Sequence, residues 1–309
     1  KDYPNFKYNK LELTDLLTQI EYNRGILDGI SKLFSSEDIV KIEIETLTDE
    51  AINTSLIEGV ILKRESVHSS FRKKLDKDFD ARNDKYSTAA TDNLVEILID
   101  SNLNKSNLNL ERLHGWNNCL FEHTQYSKLN KIDIAKFRIH SDMEVVSGAI
   151  GHEKVHYKAI PVEKIYEDIE NFLKYCNESS ENIYIKAAIV HIWFVIIHPY
   201  DDGNGRIARA ITDYILSKNS SNTEFKLYSI STAINKDRKA YYDILDKTTN
   251  LFLNKDFDLT SWLIWHLNIL NNAMKQSLKN IEYLIQKTKF WDKHRSKALN
   301  ERQIKVLNK

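Results

Sequence analysis

The chain has 309 residues, of which 42% are hydrophobic and 28% charged, and its 44 basic residues balance 44 acidic ones. That composition suits a soluble globular protein of one large domain or two modest ones, and the charge balance excludes a global electrostatic footprint for nucleic acid or an anionic membrane. Two cysteines, Cys119 and Cys176, exclude a disulfide framework and a thiolate metal site and fit a reducing cytoplasm, as does an N-terminus without a signal peptide's apolar core.

Leu13, Leu16, Leu17 and Ile20, then Ile26, Leu27, Ile30, Leu33 and Phe34, recur at helical spacing. Ser35-Ser36-Glu37-Asp38 breaks this pattern and offers a cap for the next helix. Within that helix Thr54 and Glu58 stand four apart, hence on one face, and Gly59 follows directly. The dense charges of both signs from Lys63 to Lys85 predict a solvated helix and loop. Tyr86 to Ile99 resumes a helical pattern, and Leu110 to Phe121 predicts a further helix carrying His114, Trp116 and Cys119. Neither His114 nor His123 has a partner at ligand spacing, so a structural role is expected for both.

Met143 to Ser147 and Glu153 to Tyr157 favour strand and flank Gly148-Ala149-Ile150-Gly151, which predicts a hairpin. Pro161 opens a helix through Tyr175, and another runs from Ile183 to Ile197. Its run Ala187 to Ile197 is the most apolar of the chain and too short to span a bilayer. His191, embedded in it, is expected to be buried and satisfied.

The stretch Ile197-His198-Pro199-Tyr200-Asp201-Asp202-Gly203-Asn204-Gly205-Arg206-Ile207-Ala208-Arg209 reads as helix, tight loop, helix. Pro199 ends the first helix, and Gly203 and Gly205 let the loop turn before Ile207, Ala210, Ile211, Tyr214 and Ile215 mark the second. The amides of Gly203, Asn204 and Gly205 stand at a helix N-terminus, which favours phosphate oxygens. Arg206 and Arg209 offer forked guanidiniums to the same phosphates, and Asp202 offers a carboxylate oxygen to a bridging hard cation. His198 supplies a neutral base. Together these parts describe transfer of a phosphate-containing group from a nucleotide.

His198 to Arg209 resembles the signature of the Fic family: His, any, Phe, any, Asp or Glu, Gly, Asn, Gly, Arg, two free positions, Arg. Tyr200 stands for the usual Phe and keeps the aromatic anchor. The resemblance implies an all-α Fic (Fido) fold with one β-hairpin flap, preceded by an N-terminal helical extension. It also implies a cytoplasmic protein AMP transferase that uses ATP as AMP donor and Mg²⁺ at Asp202. Thr54, Glu58 and Gly59 are similar to the family's inhibitory-helix motif, in which the Glu occupies the arginine matched here by Arg209. Val145, Val146 and Ser147 with Val155, His156 and Tyr157 resemble the flap that pairs with the target, and Arg138 also matches. Arg238-Lys239-Ala240-Tyr241-Tyr242 is similar to the segment lining the ribose and base pocket, which gives Tyr242 the ribose side. Thr249 then stands where relatives often carry Asn or Gln to read the base.

Leu259 to Ile285 predicts one or two amphipathic helices that complete the core. From Lys287 to Lys309 eight basic residues face two acidic ones, and relatives often carry a winged-helix module here. The expected organisation is an N-terminal extension over 1–45, a Fic domain over 46–272 with the inhibitory helix near 46–62 and the flap near 143–157, and a C-terminal helix and basic linker over 273–309. The expected partner is a protein bearing a Ser, Thr or Tyr hydroxyl at the flap, with self-modification and a homodimer left open, DNA reached only through the C-terminal module, and no membrane. Two other functions stay open: removal of AMP from a modified protein by the same site, and DNA-binding regulation with a vestigial site. A phosphotransferase of the Doc type would carry Lys where this chain has Gly205.

Overall fold

The computed structural model describes residues 4–122, 132–140, 144–147, 154–218, 226–250, 254, 256–294, 300 and 302–303. Eleven α-helices and one pair of strands are found among them. In chain order these are α1 (Thr14–Ser31), α2 (Ser36–Ile57), α3 (Arg64–Leu75), α4 (Ala89–Leu103), α5 (Leu110–Phe121), β1 (Glu144–Ser147), β2 (Lys154–Lys158), α6 (Ile165–Glu178), α7 (Ile183–Ile197), α8 (Asn204–Ser217), α9 (Ile230–Lys236), α10 (Arg238–Thr249) and α11 (Thr260–Lys293). No helix of the described residues is long and apolar enough to cross a membrane.

The core forms around α7, because a helix apolar on every side has no face to give to water. Every residue from Tyr184 to Ile197 is buried, Lys186 and His191 included. His191 is satisfied as expected, with Nε2 3.0 Å from the Tyr241 hydroxyl and Nδ1 3.2 Å from Thr212 Oγ1. Helix α8 folds back onto α7, α6 covers a second side and α11 a third. Helices α2, α4 and α5 close over α8, and α9 bridges α2 to α11.

Local signals set the ends of these elements. Ser35 caps α2 by accepting from the Asp38 amide at 3.1 Å, and Asn182 caps α7 through the Tyr184 and Ile185 amides. The charged stretch behaves differently from the expectation of a solvated helix: α3 buries Val67 and Phe71 completely against α2 and α4, and only its other faces are wet. Charge density hid two apolar residues four apart, which suffice to dock a helix of this length. Helix α1 lies along α11, where the buried Asn23 Nδ2 donates to Asn271 Oδ1 at 2.6 Å.

The strands pair antiparallel, Glu144 with Lys158 and Ser147 with Lys154, with an irregularity between Val145 and Val146. Strand β2 approaches α10. The connecting glycines at 148–151, and His123, lie outside the described residues, as do the side chains of Val145, Val146, Ser147, Val155, His156 and Tyr157 and most of the basic tail.

Candidate active site

The site begins where α7 stops. His198 is its C-cap in a left-handed conformation, φ 48° and ψ 57°, and its amide still donates to Phe194 O at 3.0 Å. A non-glycine residue held there is strained by about 1–3 kcal/mol and persists only where its surroundings fix it. They do so here, because Arg138 donates through Nε to the His198 carbonyl at 2.8 Å and through its amide to Pro199 O at 2.9 Å. Nδ1 of His198 lies 3.3 Å from Val195 O. A carbonyl only accepts, so Nδ1 carries the proton and Nε2 keeps its lone pair. Burial, with the Arg138 charge adding to it against the Val195 bond and the Glu58 charge, pushes the imidazole down to about 4. The side chain is therefore a neutral base at physiological pH.

Tyr200 anchors the loop from below. It is fully buried, packs on Phe137, His114 and Phe194, and its hydroxyl is hydrogen-bonded to His114 Nδ1 at 3.0 Å. Burial lowers the His114 imidazole from the usual histidine range. Asn204 closes the turn with both ends of its side chain: Oδ1 accepts from the Tyr200 amide at 3.0 Å and Nδ2 donates to Tyr200 O at 2.7 Å. Its side chain is thus committed to the loop, and what it offers an anion is its amide. The Gly203 amide is taken as well, by Asp202 Oδ1 at 2.5 Å. Anion donors come from the first turn of α8, where helical amides lack an intrahelical partner.

Both glycines are required by space. Gly203 has φ 85°, and a Cβ on it would stand 2.9 Å from Leu120 and Phe121. A Cβ on Gly205 would fall onto the Glu58 carboxylate and lie 3.3 Å from Arg209 Nη1. In this structure, then, the anion at the N-terminus of α8 belongs to the protein itself.

Helix α2 brings that carboxylate to its place by the way it ends. Gly59, with φ 78°, donates to Leu56 O at 3.0 Å, and Val60 donates to Ser55 O at 2.9 Å, the paired bonds of a Schellman termination. Glu58 is left at the tip. Arg209, 3% exposed, donates from Nη2 to Glu58 Oε1 at 2.7 Å and to Thr54 O at 3.0 Å, and from Nε to Thr54 Oγ1 at 2.7 Å. Its Nη1 is buried with no hydrogen-bond partner among the described residues. A buried guanidinium with an unused donor, beside a helix N-terminus and a missing Cβ, is a cradle that phosphate oxygens fit.

The remaining candidates divide. Arg206 lies with its guanidinium 5.1 Å over the Phe121 ring. With Asp202, Glu58, Gly59 and Phe121 it lines a cleft of about 580 Å³. Among the described residues no three His, Cys, Asp or Glu side chains gather at metal-binding distance. The single carboxylate of Asp202 fits Mg²⁺ in the way that ion is usually held beside nucleotides, by one or two carboxylates with phosphate oxygens and water. Tyr242 donates its hydroxyl to Ile57 O at 2.6 Å, and Arg238 donates to Leu56 O at 2.8 Å. The residue expected on the ribose thus holds the last turn of α2. Thr249 is buried at the end of α10 and donates to Leu245 O at 2.9 Å. In the sequence Arg138 matches the family alongside the flap and Arg238 lies in the pocket segment, but neither had a role of its own. Arg238 had a usable signal, since it opens the very segment that carries Tyr242.

Residues 107–216 match the family described as Fic/DOC, and residues 1–76 match a domain of unknown function, DUF4172. A probable protein adenylyltransferase of Aquifex aeolicus is 38% identical over 58 residues, 19% of this chain and 18% of that protein's length. A Fic family protein from Desulfovibrio desulfuricans is similar in structure with a TM-score of 0.66 at 17% identity, over 90% of this chain and 77% of its own. A Fic domain containing signaling protein from Bacteroides thetaiotaomicron gives 0.59 at 17% identity over 87% and 94%. Fic-1 of C. elegans gives 0.59 at 16% identity over 88% and 74%.

Proposed function

Because residues 107–216 are a Fic/DOC-family domain, we propose that this chain moves AMP from ATP to a Ser, Thr or Tyr hydroxyl of a protein, and that Glu58 holds it inactive. The name of the Aquifex relative, a probable protein adenylyltransferase, supports the reaction class. The observation that carries the proposal is the Glu58 carboxylate seated over Gly205 and paired with Arg209 at 2.7 Å. A site that draws in a carboxylate from its own chain is built for an anion, and a neutral imidazole stands on the residue that opens the same loop.

In this reading the amides of the first turn of α8 and Arg209 hold the phosphates once Glu58 has withdrawn. Asp202 is the residue that would hold Mg²⁺, which when bound offsets phosphate charge. Nε2 of His198 takes the proton of the attacking hydroxyl. The new bond from that oxygen to the α-phosphorus forms as the bond to the bridging oxygen breaks, and pyrophosphate leaves. Strands β1 and β2 present the target by pairing with its extended backbone.

The direct test is to incubate the chain and its Glu58→Gly variant with each α-labelled nucleoside triphosphate, with and without cell lysate. Label on protein from ATP, stronger in the variant, is the expected result. Label released only as free AMP from a modified protein would favour the reverse reaction, and no label with any nucleotide would end the proposal.

A further inference from the structure

Arg138 stands between the base and the strand pair, and the mechanism above does not use it. It is 1% exposed. All three guanidinium nitrogens donate to backbone carbonyls: Nε to His198 O at 2.8 Å, Nη1 to His140 O at 2.7 Å and Nη2 to Ile160 O at 2.5 Å. His140 lies just before β1 and Ile160 just after β2. One planar group therefore ties both feet of the strand pair to the carbonyl of the base residue. That carbonyl belongs to the set a helix end leaves without an intrahelical partner. The strand pair needs such a tie, because two strands alone are marginally stable in water.

We infer that Arg138 is the positioning residue that sets the strands against the His198 imidazole, so that a hydroxyl carried on a strand-paired target meets Nε2. The inference rests on the AMP-transfer reading. A guanidinium is suited to the task because its donors lie in one rigid plane, whereas a lysine offers a single compact ammonium on a flexible stem. Misplacing a reacting group by about 1 Å costs on the order of a hundredfold in rate, so a small slip of the strands is enough to be seen.

The test uses Arg138→Lys and Arg138→Gln in the full chain. In the first arm, amide hydrogen exchange is followed in 144–147, 154–158 and 198–203. Exchange there should speed up by at least about tenfold in both variants, with α1 and α11 unchanged. In the second arm, Glu58→Gly is the background and α-labelled ATP the probe, and label fixed on the chain is compared with AMP released by water. Water needs no strand, so the ratio of fixed label to free AMP should fall by about tenfold or more. Unchanged exchange in both variants, or an equal fall in both products, would overturn the assignment. If Arg138→Gln loosens the whole molecule, Arg138→Lys decides. If the parent chain consumes no nucleotide, the transfer reading fails, and the exchange arm alone still shows whether Arg138 fixes the strands.

Discussion

In the proposed transfer His198 can serve as a base only while its imidazole is neutral, and burial keeps it so far below the usual histidine range. In a Glu58→Gly background the transfer rate should hold its plateau well below pH 6.5 and fall only as the pH approaches about 4, which a pH–rate profile would show. His198→Ala should lower transfer by at least about a hundredfold. ATP affinity, measured by calorimetry, should stay within about threefold, because the phosphates are held by α8 and Arg209. Retention of most of the rate would remove His198 from the mechanism. Glu58 acts on the same loop from the other side. A charge-assisted bond is worth about 1.5–3 kcal/mol, roughly one to two decades of rate. Glu58→Gly should therefore raise label transfer by at least about tenfold, and adding Arg209→Ala should erase the gain because the benefit passes through that guanidinium. A Glu58→Gly chain no faster than the parent on any nucleotide would make the contact structural.

Helix α2 is held along its length by more than Arg209. Glu50 accepts from Ser229 Oγ at 2.8 Å and from the Ser231 amide at 3.2 Å, and it shares the buried Lys226 ammonium with Asp213 of α8, at 3.3 and 2.5 Å. Burial, with the Glu50 charge adding to it against the pull of Lys226, pushes the Asp213 carboxyl up to about 7. Two carboxylates on one ammonium tolerate no loss of that ammonium. Lys226→Met should destabilise the chain by about 3–5 kcal/mol, read as a lowered denaturant midpoint. In the proposed release of Glu58, the same anchoring confines the movement. When a non-hydrolysable ATP analogue binds, hydrogen exchange should rise in residues 54–58 at the tip of α2 and stay unchanged around Glu50. Loosening of the whole helix would contradict this.

Away from the site, two histidines in the interior add to the dependence of stability on acid. His191 and His266 are both fully buried, with ring centroids 5.5 Å apart. Burial lowers both, His266 to about 3. Neither ring nitrogen of His266 has a hydrogen-bond partner among the described residues. Because the folded values lie below the unfolded one, the unfolded chain takes up protons first. Stability is complete above about pH 6.5 and is lost as the pH falls from there toward the folded values. Each group contributes up to about 1.4 kcal/mol per pH unit in that window, so the pair contributes up to about 2.8 kcal/mol per pH unit. His266→Phe, which keeps a ring of similar size between Trp262 and His191, should narrow the difference in melting temperature between pH 7 and pH 5. An unchanged difference would mean that His266 does not titrate on unfolding as stated.

The sequence alone determined the elements that depend on neighbours along the chain. The all-apolar α7, the Ser35 cap, the α7–loop–α8 turn with its two glycines and the Thr54–Glu58 face are local patterns, and each was legible because helical spacing and backbone freedom are written within a few residues. The parts of the proposed site lie together for the same reason: imidazole, carboxylate, amides and arginines fall within one stretch from His198 to Arg209. What tertiary structure decided is which partner each of these groups takes. No local rule says that the Tyr242 hydroxyl goes to Ile57 O or that α3 hides Phe71. Nor does one say that the Arg138 fork gathers carbonyls from both sides of the strand pair and from the end of α7. Apart from the Arg138–His140 bond, these contacts join residues far apart in the chain, and the bonds form because a polar group buried by the packing of distant helices must find its partner among whatever that packing places beside it.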